Sequence, residues 1–201
     1  GYKHAKIKDG VPKGWERKPL QNFCFDVKKS EDPRKLPVNT PYIGLEHLPR
    51  RSITLSSWGA ASEASSKKFG FLTGDILFGK IRPYFHKVGI ALTDGITSSD
   101  AIVIRSKRKE LFNYLVLLVS SDHFIALASK TMKEGSKMPR ADWKLLQSNA
   151  FILPSQKILS ELNHFVSPIL AQLRNLALLN RDLAEARDML LPRLMRDEAA
   201  V

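Results

Sequence analysis

Between Leu162 and Leu190 the chain repeats at alternating spacings of four and three residues, through Leu162, Val166, Ile169, Leu173, Leu176, Asn180, Leu183, Arg187 and Leu190. That period belongs to a helix, and a period held over this length is the mark of a helix that faces another helix. Leu162, Ile169, Leu176, Leu183 and Leu190 take the d position; Val166, Leu173, Asn180 and Arg187 take a. A helix over residues 157–191 is roughly 50 Å long at 1.5 Å per residue, too long to lie on a domain of about 150 residues without projecting. Asn180 on the seam costs stability and fixes register and partner number. Pro168 kinks the helix or marks its first turn. Two readings stand: an amphipathic helix packed on its own body, or a seam that needs a partner. The partner is a second copy, or a similar helix elsewhere in a longer chain.

Charge divides the chain at the same place. Residues 155–201 hold six basic and six acidic side chains, so residues 1–154 carry the whole formal charge of +12. The division predicts a basic globular unit over 1–154 and a neutral helix over 155–201. A basic body suits a polyanion through counterion release; a basic surface kept for solubility is the alternative. No window nears the 18 unbroken apolar residues of a membrane span. The start, Gly1-Tyr2-Lys3-His4, is polar and lacks Met, so the chain is expected to be processed, tagged or cut from something larger. The one cysteine, Cys24, reads as a small buried hydrophobe in Phe23-Cys24-Phe25 and fits a reducing, cytoplasmic setting.

Along the body, strands are predicted at Tyr42–Glu46, Ile76–Phe78, Val88–Leu92, Ala101–Ile104 and Phe151–Leu153, with one or two helices across 110–132. Lys28 to Pro41, with three prolines, reads as a loop. Catalytic signatures are missing. Gly74-Asp75-Ile76-Leu77-Phe78-Gly79-Lys80-Ile81 has nearly the spacing of a nucleotide-binding loop but ends in Ile and reads as a strand. Asp26-Val27-Lys28 is one fragment of a nuclease site, and Asp75 reads as a turn carboxylate. The five histidines show no ligand spacing, so no metal site is expected.

Basic loops are the positive signal. Gly79 to Lys87 packs Lys80, Arg82, Lys87, His86, Tyr84 and Phe85 into a bend broken by Gly and Pro. Thr97-Ser98-Ser99-Asp100 adds hydroxyl donors. Lys130, Lys133, Lys137 and Arg140 form a second cluster with only Glu134 against them, and Arg50-Arg51 and Lys67-Lys68 bracket a polar loop. Basic loops on a rigid scaffold are the form of a groove reader. In this reading Lys80, Arg82, Lys87, Lys130, Lys133 and Lys137 hold phosphates, and Tyr84 and His86 hydrogen-bond or stack. Arg50, Arg51, Ser136 and Arg140 are candidates for base edges, where a bidentate Arg–guanine pair discriminates by about 1–3 kcal/mol.

Several motifs together resemble the specificity (S) subunits of type I restriction–modification systems. They are Pro12-Lys13-Gly14-Trp15-Glu16, Tyr42-Ile43-Gly44-Leu45-Glu46, Gly74 to Tyr84, Ser98-Ser99-Asp100, Ser136 to Arg140, and Arg187-Asp188-Met189-Leu190-Leu191-Pro192-Arg193-Leu194-Met195. They run in family order over nearly the full chain. The resemblance implies one mixed α/β (α+β-like) target recognition domain followed by one conserved spacer helix in an antiparallel coiled coil. It implies a non-catalytic protein that reads half of a split site in double-stranded DNA. Expected partners are a methyltransferase (modification) subunit, a motor-nuclease (restriction) subunit, and a second copy or a second recognition domain; no membrane is expected. AdoMet, ATP and Mg²⁺ belong to those partners, and no cofactor is expected on this chain. A full specificity subunit has two recognition domains where this chain has one. Competing readings are the recognition portion of a fused methyltransferase–nuclease and a basic coiled-coil adaptor that binds an acidic partner.

Overall fold

In a computed structural model, the described residues are 7–8, 11–133, 135 and 137–197; Gly1 to His4, Glu134 and Ser136 lie outside them. In chain order the elements are β1 (Ile7–Lys8), β2 (Val11–Pro12), β3 (Glu16–Pro19), β4 (Cys24–Val27), β5 (Ser30–Glu31), β6 (Pro41–Ile43), β7 (Gly59–Ala60), β8 (Lys68–Phe71), β9 (Ile76–Gly79), β10 (Val88–Ile90), β11 (Gly95–Thr97) and β12 (Ala101–Ser106). Then come α1 (Phe112–Val119), α2 (Asp122–Lys130), α3 (Trp143–Ser148), β13 (Ala150–Leu153) and α4 (Gln156–Asp197).

Two central strands explain the layering. Every residue of β9 is buried, and so are Ala101 to Ile104 of β12. A strand apolar on both faces must be covered on both. These strands sit in the middle of an antiparallel sheet ordered β10-β9-β12-β4. Side chains alternate across it. Ile76, Phe78, Ile102 and Ile104 join Val116, Phe124, Leu146 and Phe151 in one core on the helical side. Leu77 and Val103 join Ile43, Leu48, Leu55 and Phe71 in a second core on the other face. That second face meets a mixed sheet ordered β5-β8-β11-β6-β7, in which only β11–β6 is parallel. The body is therefore three layers: helices, antiparallel sheet, mixed sheet. β13 pairs β3 antiparallel, which ties the end of the body to its beginning.

The expected strand at Tyr42–Glu46 stops at Ile43, because the Gly44 amide donates to His47 Nδ1 at 2.9 Å and turns the chain. The run 110–132 is two helices, separated by the Ser121 cap whose hydroxyl accepts from the Phe124 amide at 3.1 Å. Cys24 is buried, and its thiol is pushed up to about 12 by that burial. Asp75 is the expected turn carboxylate. It accepts from the Leu72 amide at 2.8 Å and holds Arg105 in a two-pronged pair at 2.7 Å.

The helix α4 runs unbroken for 42 residues, about 63 Å, with Pro168 and Pro192 inside it. Its first part lies on the body. Leu159 is in the helical core and Ala177 is buried. Asn113 of α1 donates to Asn163 Oδ1 at 2.9 Å and to Ser167 Oγ at 2.7 Å. Arg181 lies over the Trp58 ring, 4.2 Å from its centre. Among the described residues no single helix is long and apolar enough to cross a membrane.

Candidate nucleic-acid interface

The bend after β9 is built from strained backbone. Arg82 and His86 have φ of 47° and 54°, and Pro83–Phe85 between them is a single tight turn. Arg51 is the third non-glycine residue with positive φ among the described residues, at 53°. Left-handed backbone costs a side-chain-bearing residue on the order of 1–3 kcal/mol, and Arg82 also precedes a proline, which favours extended backbone. Hydrogen bonds hold the turn. The Arg82 amide donates to the Pro139 carbonyl at 2.9 Å and the Arg51 amide to the His86 carbonyl at 3.0 Å. Isolated bridges pair Arg50 with Lys87 and Ile81 with Arg140. The loop carrying Arg50 and Arg51 lies close to the sheet because Gly89 is bare: a Cβ there would meet Leu55 at 2.7 Å. Thus three stretches far apart in sequence, 50–51, 80–87 and 137–140, meet at one end of the body.

Side chains at this end fall into two groups. On the ridge, Arg50 lies 4.1 Å and Arg82 5.9 Å from the centre of the Phe85 ring, and half-exposed Tyr84 meets Phe85 edge-on at 5.0 Å. Beside it, a groove of about 540 Å³ is lined by Lys28, Lys80, Lys133, Arg140 and Lys144. Its carboxylates are Asp26, paired with Lys28 at 2.9 Å, and Asp142, which caps α3 through the Leu145 amide at 3.2 Å. Asp100 is shared by Arg140 at 3.2 Å and Lys80 at 4.0 Å. Lys133 and Lys144 have no ion pair among the described residues. Ser99 lines the groove, whereas Thr97 is buried and donates to the Ile43 carbonyl at 2.6 Å.

Two of the expected contact residues turn inward. Lys87 donates to the Leu45 carbonyl and its ammonium is held below the usual lysine range, chiefly by burial and then by Arg50. His86 is buried, with Nε2 2.7 Å from the Ser120 carbonyl; Nδ1 is 3.4 Å from Asp122 but makes no hydrogen bond. Both support the turn and neither offers a surface to stack or to hold phosphate. Arg51 is exposed but bound to Asp122 at 3.1 Å. Lys130 and Lys137 are exposed at the margins. Lys68 begins β8 and Lys67 precedes it; Lys68 is tied to the Ser66 hydroxyl at 2.8 Å, and neither lines the groove. Ser136 lies outside the described residues. Lys28, Lys144 and the Phe85 platform had not been singled out. Lys144 follows Arg140 by four residues and was legible as part of that cluster; Lys28 reaches the groove only through sheet pairing.

On α4 the expected seam divides. Ile169, Leu176, Leu183 and Leu190 are exposed, as is Asn180, but Val166, Leu173 and Leu162 are half-buried. The exposed apolar stripe runs through Phe165, Ile169, Leu176, Leu179, Leu183, Leu190 and Leu194. It keeps the expected d positions from Ile169 to Leu190, leaves out Leu162, and adds Phe165 and Leu179, each one residue before an expected a position; Leu194 lies beyond the expected seam.

The structure thus combines a basic edge, built on strained backbone, with a three-layer body and a long helix that carries an exposed apolar stripe. The comparisons specify it further. The chain is 30% identical over 113 residues to the type I restriction enzyme EcoDI specificity subunit of Escherichia coli, a match covering 55% of this chain and 25% of that protein. Its fold matches the HsdS subunit from Thermoanaerobacter tengcongensis with a TM-score of 0.65 at 21% identity, over 93% of this chain and 49% of that one. A chain of a type I R-M system solved in a study of its assembly and conformational transition matches with a TM-score of 0.62 at 22% identity, over 96% and 51%. No family model matches the sequence. The chain is thus similar to type I restriction–modification specificity subunits, and it spans about a quarter of the length of the curated relative and about half of each solved chain it matches.

Proposed function

We propose that this chain reads one half of a split DNA site for a type I restriction–modification system. The observation that carries the reading is the convergence of Arg50, Arg82, Lys80, Lys133, Arg140 and Lys144 on one end of the body. The groove cations neutralise backbone phosphates, and the ridge enters a duplex groove. Helix α4 pairs antiparallel with a similar helix, of a second copy or of a second recognition unit. The helical pair docks the methyltransferase and restriction subunits, which bring AdoMet, ATP and Mg²⁺; no step of that chemistry falls to this chain.

The test combines binding and methylation. A variant with Lys80→Glu, Arg82→Glu and Lys137→Glu should lose duplex binding while keeping the circular dichroism of the parent. Assembled with a methyltransferase subunit, it should no longer direct DNA methylation. Full methylation by that complex would refute the reading.

A further inference from the structure

The four guanidiniums at the reading edge are of two kinds. Arg51 is bound to Asp122 at 3.1 Å and Arg140 to Asp100 at 3.2 Å. One N–H of each is engaged by a carboxylate, Nη1 of Arg51 and Nε of Arg140, which ties both side chains to the body. Arg50 and Arg82 make no ion pair among the described residues; their Cζ atoms lie over the Phe85 ring, 4.1 Å and 5.9 Å from its centre. A guanidinium stacked on an aromatic ring is oriented by its face and keeps its N–H edge available. That edge matches the two acceptors, O6 and N7, that guanine presents in the major groove.

From this we infer that Arg50 and Arg82, stacked on Phe85, are the guanine-reading pair of this chain, and that Arg51 and Arg140 are positioning residues. The inference rests on the proposed function and assigns its specificity-determining residues. The strained backbone fits the role. Arg82 enters the turn in the left-handed region and His86 leaves it there, so Phe85 and Arg82 sit on a turn fixed at each end, and Arg50 reaches the ring from the neighbouring stretch that bridges Lys87. The Ser120 carbonyl holds His86, and the Pro139 carbonyl holds Arg82. Fixing the fork before DNA arrives lowers the ordering cost of a bidentate contact. The positioning arginines brace the same turn from either side, Arg51 through the His86 carbonyl and Arg140 through its bridge to Ile81.

Selection of bound duplexes from a randomised library, with sequencing, tests this on the whole chain. The parent should select a motif containing guanine. Arg50→Lys and Arg82→Lys keep the charge but lose the fork; each should weaken preference at a guanine by about tenfold. Their sequence-independent binding and its salt dependence should stay near those of the parent, which also shows that they fold. Phe85→Leu keeps all the charge, removes the platform and should broaden the preference. Arg51→Lys and Arg140→Lys should leave the selected motif unchanged. Parental preference in both Arg50→Lys and Arg82→Lys, or a parental motif without guanine, would overturn the assignment and leave the proposed function intact. A parent that binds duplex with no preference, or not at all, would overturn both.

Discussion

Salt dependence offers the most quantitative test of the reading edge. The groove holds five cations, Lys28, Lys80, Lys133, Arg140 and Lys144. Asp26 offsets Lys28, and Asp100 is shared between Lys80 and Arg140. Asp142 is committed to the cap of α3. The net charge brought to the duplex is about two from the groove, set against phosphates, and about two from Arg50 and Arg82, which displace counterions as the ridge enters the duplex groove. Each neutralised phosphate contributes a slope of about −0.9 in log K against log salt, so about four give a slope near −3.6. Between 50 and 200 mM salt the affinity should then fall about 150-fold. Replacing Lys133 and Lys144 by Gln removes the two groove cations that have no ion pair among the described residues. The slope should halve to about −1.8, and the loss over the same range should shrink to about 12-fold. Fluorescence anisotropy of a labelled duplex, titrated at several salt concentrations, measures both slopes. An unchanged slope in the double variant would show that the groove does not face the backbone and would refute the charge assignment.

Other perturbations separate structure from recognition. Asp75→Ala strands Arg105 beside a buried gap; breaking such a pair costs about 3–5 kcal/mol when fully buried, and the partial exposure of Arg105 brings the expected loss to about 2–3 kcal/mol in urea unfolding. Leu176→Glu with Leu183→Glu should abolish helix pairing in sedimentation experiments and leave the melting of the body unchanged, whereas Ala177→Glu, on the buried side of the same turn, should unfold it. Cys24 should resist alkylation in the native state at pH 8, because burial holds its thiol near 12. The folded form keeps that proton while the unfolded form loses it above its ordinary value of 9.0, so this group's contribution to stability declines as pH rises from 9 toward 12; rapid native labelling at pH 8 would contradict it.

The central strands were legible because β9 and β12 are short apolar runs bounded by Gly, Asp and Pro. β3 is hidden by composition: Glu16-Arg17-Lys18-Pro19 has no apolar alternation and becomes a strand only through its pairing with β13. β11 is three residues long and is made by its neighbours β8 and β6 on either side. At the reading edge the sequence exposed the cations and concealed their orientation. Lys80, Lys87 and Arg82 lie within one bend, yet Lys87 faces the Leu45 carbonyl, Lys80 the groove and Arg82 the Phe85 ring. That sorting follows from two left-handed residues, which no spacing rule anticipates for Arg and His. On the helix, Val166 and Leu173 continue the heptad as well as their neighbours do, yet they are half-buried while Phe165 and Leu179 are exposed, a division that spacing alone does not reveal.

Two apolar faces on one helix have a mechanical consequence. A helix that served only to cover its own domain would need one stripe, and α4 has that stripe in Leu159, Val166, Leu170, Leu173 and Ala177. A second stripe, about a third of the way round the helix, leaves Ile169, Leu176, Leu179, Leu183 and Leu190 more than half exposed, which a monomer in water rarely sustains as a contiguous row. Each of these side chains would recover about 1 kcal/mol on being covered, since roughly half its surface is already hidden. Five such residues recover about 5 kcal/mol against about 2.5–5 kcal/mol of rotamer entropy, so a partner that brings a matching apolar stripe, and doubles the burial, is what makes pairing favourable. The inner stripe, the Asn113 hydrogen bonds and the Arg181–Trp58 contact meanwhile prevent the body from swivelling about the helix axis. Anchor and interface thus share one rigid rod. Any partner that fixes the phase of the outer stripe fixes, through the same backbone, the direction in which Arg50 and Arg82 point.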